Sequence, residues 1–178
     1  MNKKERILPG KTEAFELMEK LNLPYAIKKH SIKVAEEALK IANKITKVNI
    51  NKSLVKIGGL LHDIGRSKTH GFDHALQGAE IIRNEGFSEK LARICETHIL
   101  GGLDEQDTQE LGLPEKNYIP QSIEEKIVCL ADKRILGDKK VSINMRFNRW
   151  FKRYGKTKLL IKSKERIQKF QKELNNLM

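Results

Sequence analysis

The chain has no apolar run approaching the ~20 residues that a membrane-spanning helix needs. It has only two cysteines, Cys95 and Cys129. That is too few for a disulfide framework, and both fall in apolar helical patterns. They read as reduced core thiols, which points to the cytoplasm. Met1 to Gly10 is charged and has no apolar stretch of the secretory-signal kind. Acidic residues are nearly missing from one region. Residues 139–178 carry 13 Lys/Arg against 2 Asp/Glu, whereas residues 1–138 carry 22 against 21. The formal charge of +12 is therefore concentrated in the last forty residues. Strand-type alternation, internal repeats and low-complexity segments are also missing. The 178 residues suffice for one domain with a real core.

Helical periodicity runs almost throughout. Thr12 to Leu21 predicts a short helix with Thr12 as its N-cap. Pro24 opens a longer one to about Ile45, with Ile27, Val34, Ala38, Ile41 and Ile45 on one face. Further helices are predicted over Ser53–His62, Asp73–Asn84 and Ser88–Ile99. Leu100 to Gln121 holds three glycines and two prolines and reads as a long loop with at most one helical turn. Ser122–Leu136 follows, with Ser122 and Glu125 spaced as a capping box. Ser142–Tyr154 and Thr157–Leu177 complete the pattern, split at Gly155. The expected fold class is all-α. A first unit spans 1–138, and a basic helical extension over 139–178 packs on the same domain.

The apolar segment Leu54 to Ile64 ends in His62-Asp63. Burying an unpaired carboxylate there is costly, and a bound cation compensates a histidine and an aspartate together. Other ionisable residues also point inward. His30 lies on the apolar face with Ile27 and Val34, His74 precedes Gly78 and Ile81, and His98 continues Leu91, Ile94 and Cys95. Asp132 aligns with Val128 and Ile135. One inward histidine is ordinarily a core residue satisfied by a backbone carbonyl. Four with two aspartates are better explained by shared metal than by six separate satisfactions. Gly58 and Gly59 would let other helices approach closely.

The order His30, His62-Asp63, Asp132, with the runs Leu61-His62-Asp63-Ile64-Gly65 and Leu130-Ala131-Asp132-Lys133, resembles the HD-domain superfamily of metal-dependent phosphohydrolases. The resemblance covers about residues 24–136. It implies His30, His62, Asp63 and Asp132 as metal ligands. Asp73-His74 and Glu96-Thr97-His98 are similar to the extra elements of two-metal branches and add His74 and His98. Thr97 stands where the cyclic dinucleotide phosphodiesterase branch has the first histidine of a pair, and that branch's downstream signature is missing. The dinucleoside tetraphosphate hydrolase branch is the nearer pattern. Overall the chain looks most like a small, mostly archaeal HD family, some of whose relatives are fused to a tRNA ribose methyltransferase.

The resemblance implies one or two divalent transition ions (Fe, Mn, Co, Ni or Zn). These would activate water against a phosphate ester or anhydride, in a phosphorylated small molecule or a nucleotide. Two ions would share Asp63, with His74 and His98 on the second. Arg66, beside the His-Asp turn, is the leading phosphate contact, Lys133 the second, and Lys68 with His70 the third. The rival class is an RNA-binding or tRNA-associated accessory protein that uses the HD fold as scaffold. The run Arg146 to Tyr154 interleaves cations with aromatics, a composition suited to RNA. The same Phe147, Trp150, Phe151, Leu159, Ile167 and Phe170 also suit packing on the body. A membrane-surface role fits poorly, because the apolar face is broken and no lipidation signal accompanies it.

Overall fold

A computed structural model describes residues 7–178. The expectation about residues 1–6 of the charged N-terminus lies outside the described residues. The elements are α1 (Lys11–Lys20), α2 (Tyr25–Lys44), α3 (Lys52–Leu61), α4 (His74–Asn84), α5 (Glu89–Thr97), α6 (Glu105–Glu110), α7 (Ile123–Lys133), α8 (Ile143–Tyr154) and α9 (Lys158–Asn176). A two-stranded antiparallel hairpin, β1 (Ile135–Leu136) and β2 (Lys139–Lys140), sits between α7 and α8. Short 3-10 turns follow α3 and α5. Among the described residues the protein is all-α apart from that hairpin and an isolated bridge between Ile7 and Phe87.

Caps account for several helix starts. Asn51, Ser122, Ser142 and Thr157 each accept a hydrogen bond from the backbone N–H three residues on. Thr12 does not cap α1. The helix begins after Gly10, whose N–H donates to the Glu13 carboxylate at 2.7 Å. Ser122 caps α7 as expected, but Glu125 turns to Gln121 N–H and the Thr97 hydroxyl. The helix expected to reach Leu136 stops at Lys133, because Ile135 and Leu136 pair with Lys140 and Lys139. Within the expected loop, Asp104 accepts from Asp107 N–H and starts the short α6.

The glycines of α3 set the helix spacing. A Cβ on Gly59 would lie 2.6 Å from Ala35 Cα of α2, and one on Gly58 would lie 2.6 Å from Ile94 Cδ1 of α5. With α2 and α5 drawn this close, α3 holds the centre of the bundle. Leu61, Ile64, Leu91, Ile127 and Phe147 are fully buried around it. The basic extension joins the same core through Phe147, Ile167, Phe170 and Leu174. Burying those four side chains favours docking by roughly 1.5–3 kcal/mol each. A smaller cluster of Leu100, Leu103, Tyr118 and Leu160 ties the 100–121 segment to α9. Among the described residues, no helix is long and apolar enough to cross a membrane.

Candidate metal centre

Four imidazoles converge where α2, α3, α4 and α5 meet. Each turns its Nδ1 to a backbone carbonyl. His30 Nδ1 lies 2.8 Å from Gly137 O, His62 Nδ1 2.8 Å from Gly59 O, His74 Nδ1 2.6 Å from Gly71 O, and His98 Nδ1 2.7 Å from Cys95 O. A carbonyl only accepts, so each Nδ1 carries the proton. In the neutral ring, Nε2 then presents its lone pair inward. This is the second-shell arrangement that orients metal-ligating histidines.

The inward atoms meet two carboxylates. His30 Nε2 is 3.0 Å and His62 Nε2 3.6 Å from Asp132 Oδ1. His74 Nε2 is 3.1 Å and His98 Nε2 3.3 Å from Asp63 Oδ1, and His62 Nε2 is 3.7 Å from Asp63 Oδ2. Donor atoms ~2.0–2.1 Å from one ion lie roughly 3.0–3.4 Å from each other, and most of these separations match. His62 Nε2 and Asp63 Oδ1 are buried without a hydrogen-bond partner. Orphaned buried polar atoms are costly, and a cation would satisfy both. Three ligand groups emerge within 4.8 Å: His30, His62 and Asp63; His62, His98 and Asp132; Asp63, His74 and His98. The residues present therefore fit one or two divalent ions.

The electrostatics agree. Burial would raise the Asp63 carboxyl, but His62, His74 and His98 hold it well below the usual range. Burial acts likewise on Asp132, which Lys133, His30 and His62 hold down. Burial would lower the His62 imidazole, but Asp63 and Asp132 raise it. Burial, opposed by Asp63, pushes His98 down to about 4. Two ionised carboxylates thus face at least one neutral imidazole in a largely buried site.

The floor is braced from behind. Lys133 is 3% exposed, and its ammonium is engaged by Asp132 Oδ2 and, at 2.9 Å, by His98 O. Lys133 does line the adjoining cavity, but it holds two ligand-bearing helices together. Arg66 Nε lies 3.0 Å from Asp63 Oδ2, and its side chain also lines the cavity. So does the exposed His70, whereas Lys68 is not among the lining residues.

Sequence reasoning missed Arg146. Its guanidinium reaches Lys133 O at 3.3 Å, Asp132 O at 3.0 Å and Ile135 O. It thereby caps the end of α7, from which Asp132 projects. Ile143, Arg146, Phe147 and Trp150 share one helical stripe, the signal that Arg146 points inward. Gly137 was missed too, since nothing flagged the hairpin whose carbonyl orients His30.

The family model for the HD domain matches residues 27–135. The chain belongs to the HD-domain family. It is 50% identical, over 80% of this chain and 82% of the relative, to an uncharacterized protein of Methanocaldococcus jannaschii. It is 38% identical to a tRNA (cytidine(56)-2'-O)-methyltransferase of Thermoplasma volcanium, over 99% of this chain and 50% of that one. This chain spans about half the length of the methyltransferases it matches. The HD domain of the L. monocytogenes phosphodiesterase PgpH, solved with cyclic-di-AMP, has the same fold. Its TM-score is 0.57 at 18% identity, covering 92% of this chain and 95% of that one. The HD match ends at residue 135, before the hairpin is complete and before α8.

Proposed function

We propose that this HD domain is a metal-dependent phosphohydrolase acting on a phosphate ester or anhydride of a nucleotide. The observation that carries this reading is the pair of orphaned buried atoms, His62 Nε2 and Asp63 Oδ1, set among three further inward Nε2 atoms at a cavity of about 660 Å³. A pure scaffold has no physical use for that arrangement.

In this reading His30, His62, Asp63 and Asp132 would hold one divalent ion, and Asp63, His74 and His98 would hold a second. Asp63 could serve both sets, because Oδ2 faces His62 and Oδ1 faces His74 and His98. When bound, such ions lower the pKa of coordinated water and neutralise charge on phosphoryl oxygens. The chain supplies the rest. Arg66 fixes Asp63 through Nε and offers its other N–H donors to phosphate. Lys133 and Arg146 keep Asp132 in place. The buried walls exclude bulk water, which strengthens every charge interaction within.

The named relatives support a nucleotide, since one binds a cyclic dinucleotide and others are tRNA methyltransferases. The test is hydrolysis of a panel of nucleoside phosphates by metal-loaded protein. Turnover that is abolished in His62→Ala and Asp63→Ala supports the reading. No turnover by wild type, with metal bound, refutes it.

A second reading, an RNA-associated accessory protein, is favoured by the exposed Arg149, Lys152, Arg153, Lys156 and Lys158. It requires salt-dependent RNA affinity that survives His62→Ala.

A further inference from the structure

The cavity at the metal centre has walls from outside the matched HD region. Besides the ligands and Arg66, it is lined by Trp150 and Tyr154 of α8 and by Leu159 and Leu160 at the start of α9. Phe72, from the loop before α4, faces it as well. Exposure grades the cavity. Asp63, His74 and His98 are at most 5% exposed, whereas Phe72 is 46% and Tyr154 57% exposed. The charged end is therefore deep and the aromatic end is at the mouth.

Trp150 is the fixed part of that aromatic end. Arg146 lies 5.3 Å from its ring centre and Phe147 packs edge-on at 5.0 Å, so its placement follows from the core. Phe72 and Tyr154 have no such burial. Large aromatic side chains left in water at a cavity mouth suit a flat partner.

We infer that Tyr154 and Phe72, with Trp150 behind them, form a nucleobase subsite, so that the cavity selects a nucleoside monophosphate over a bare sugar phosphate. This rests on the hydrolase reading for the deep end only. Stacking on aromatic faces is a sequence-tolerant way to hold a base. At the deep end Arg66, beside Asp63, would take the phosphate. The volume, about 660 Å³, is that of a small-molecule site.

The test compares AMP with ribose 5-phosphate, which keeps the phosphoester and lacks the base, using manganese-loaded wild type, Tyr154→Ala, Phe72→Ala and Tyr25→Ala. Tyr25 is exposed and lies off the cavity. Wild type is expected to prefer AMP by at least ~10-fold in kcat/KM, the scale of base–aromatic stacking. Tyr154→Ala and Phe72→Ala should erode that preference through KM, and Tyr25→Ala should not. Equal use of both phosphates, or a preference that survives both substitutions, overturns the inference and leaves the hydrolase reading standing. Turnover of neither substrate leaves the hydrolase reading to the wider panel of nucleoside phosphates. In that event the subsite is judged by fluorescence of Trp150, the single tryptophan of the chain. Saturable quenching by adenosine that is lost in Tyr154→Ala supports it, and no quenching overturns it.

Discussion

His74 Nε2 and His98 Nε2 face each other at 3.2 Å while their Nδ1 atoms are both committed to backbone carbonyls, Gly71 O and Cys95 O. Two neutral rings in that arrangement oppose lone pair to lone pair. A proton or a metal cation between them removes the repulsion, and burial disfavours protonation of His98. Saturating divalent metal should therefore stabilise the protein. At ~100-fold excess over Kd the gain is about 2.7 kcal/mol. That corresponds to roughly 5–10 °C in Tm for a chain of this size. Calorimetry with and without chelator checks this. His98→Ala should lower the metal content by about one ion per chain, read by elemental mass spectrometry.

Gly65 fixes the distance from Asp63 to His74. A Cβ there would lie 1.9 Å from His74 O and 2.5 Å from Gly78 N, both backbone atoms that cannot swing aside. Gly65→Ala should cost about 3 kcal/mol, the upper end of overpacking. It should also weaken binding at the His74–His98 side. Urea denaturation and metal titration report the two effects separately.

Arg146→Ala should destabilise by about 2–3 kcal/mol, because two carbonyls at the end of α7 and one in β1 lose a charged donor. Metal affinity should fall with it as Asp132 loosens. Arg146→Lys should not restore either, since one ammonium cannot reproduce the planar fork. Equal metal affinity in all three proteins would show that α7 needs no such clamp.

Cys95 and Cys129 should resist thiol reagents in the native state. Burial pushes the Cys95 thiol far up and the Cys129 thiol up to about 12. Cys129 Sγ donates to His98 O, and Cys95 O holds His98 Nδ1. Labelling therefore reports opening of the ligand helices. It should be negligible at pH 8 with metal, faster with chelator, and complete for two thiols in denaturant.

Asp104 gives a pH-dependent contribution whose sign is fixed. Burial would raise its carboxyl, but Lys162 and Arg166 lower it to about 2. The group is thus deprotonated more readily in the folded chain than in the unfolded one, where its value is ~3.9. Its stabilisation is present above about pH 4 and is lost as pH falls toward 2. Asp104→Asn keeps a competent cap for α6 and removes the charge. Thermal melts should show a shallower loss of stability between pH 4 and 2 in the variant than in wild type.

Much of the centre was readable because helical spacing converts directly into direction. His30, His74, His98 and Asp132 each aligned with inward-facing neighbours three, four or seven residues away, and His62 stood at the end of an apolar segment. Gly58 and Gly59 likewise read correctly as approach points. The unread parts depend on contacts distant in sequence. Gly137 matters to His30 across 107 residues, and no local pattern marks it. Thr12 is a better cap than Gly10 by propensity, yet the Glu13 carboxylate moved the start. Lys133 read as a phosphate contact because charge alone does not reveal burial. Its ammonium faces inward only because α7 lays it against the end of α5.

The charge asymmetry also bears on how fast a ligand arrives. The nearly neutral body carries the histidine–aspartate cluster, while the segment with 13 Lys/Arg against 2 Asp/Glu supplies part of the cavity wall through Trp150, Tyr154, Leu159 and Leu160. A strongly positive segment on the same molecule raises the local concentration of anions and can speed encounter by ~10–10³-fold at low salt. For a phosphorylated substrate the extension is then a collector as well as a wall. Ionic strength governs how often the cavity is visited, without touching what happens once it is filled.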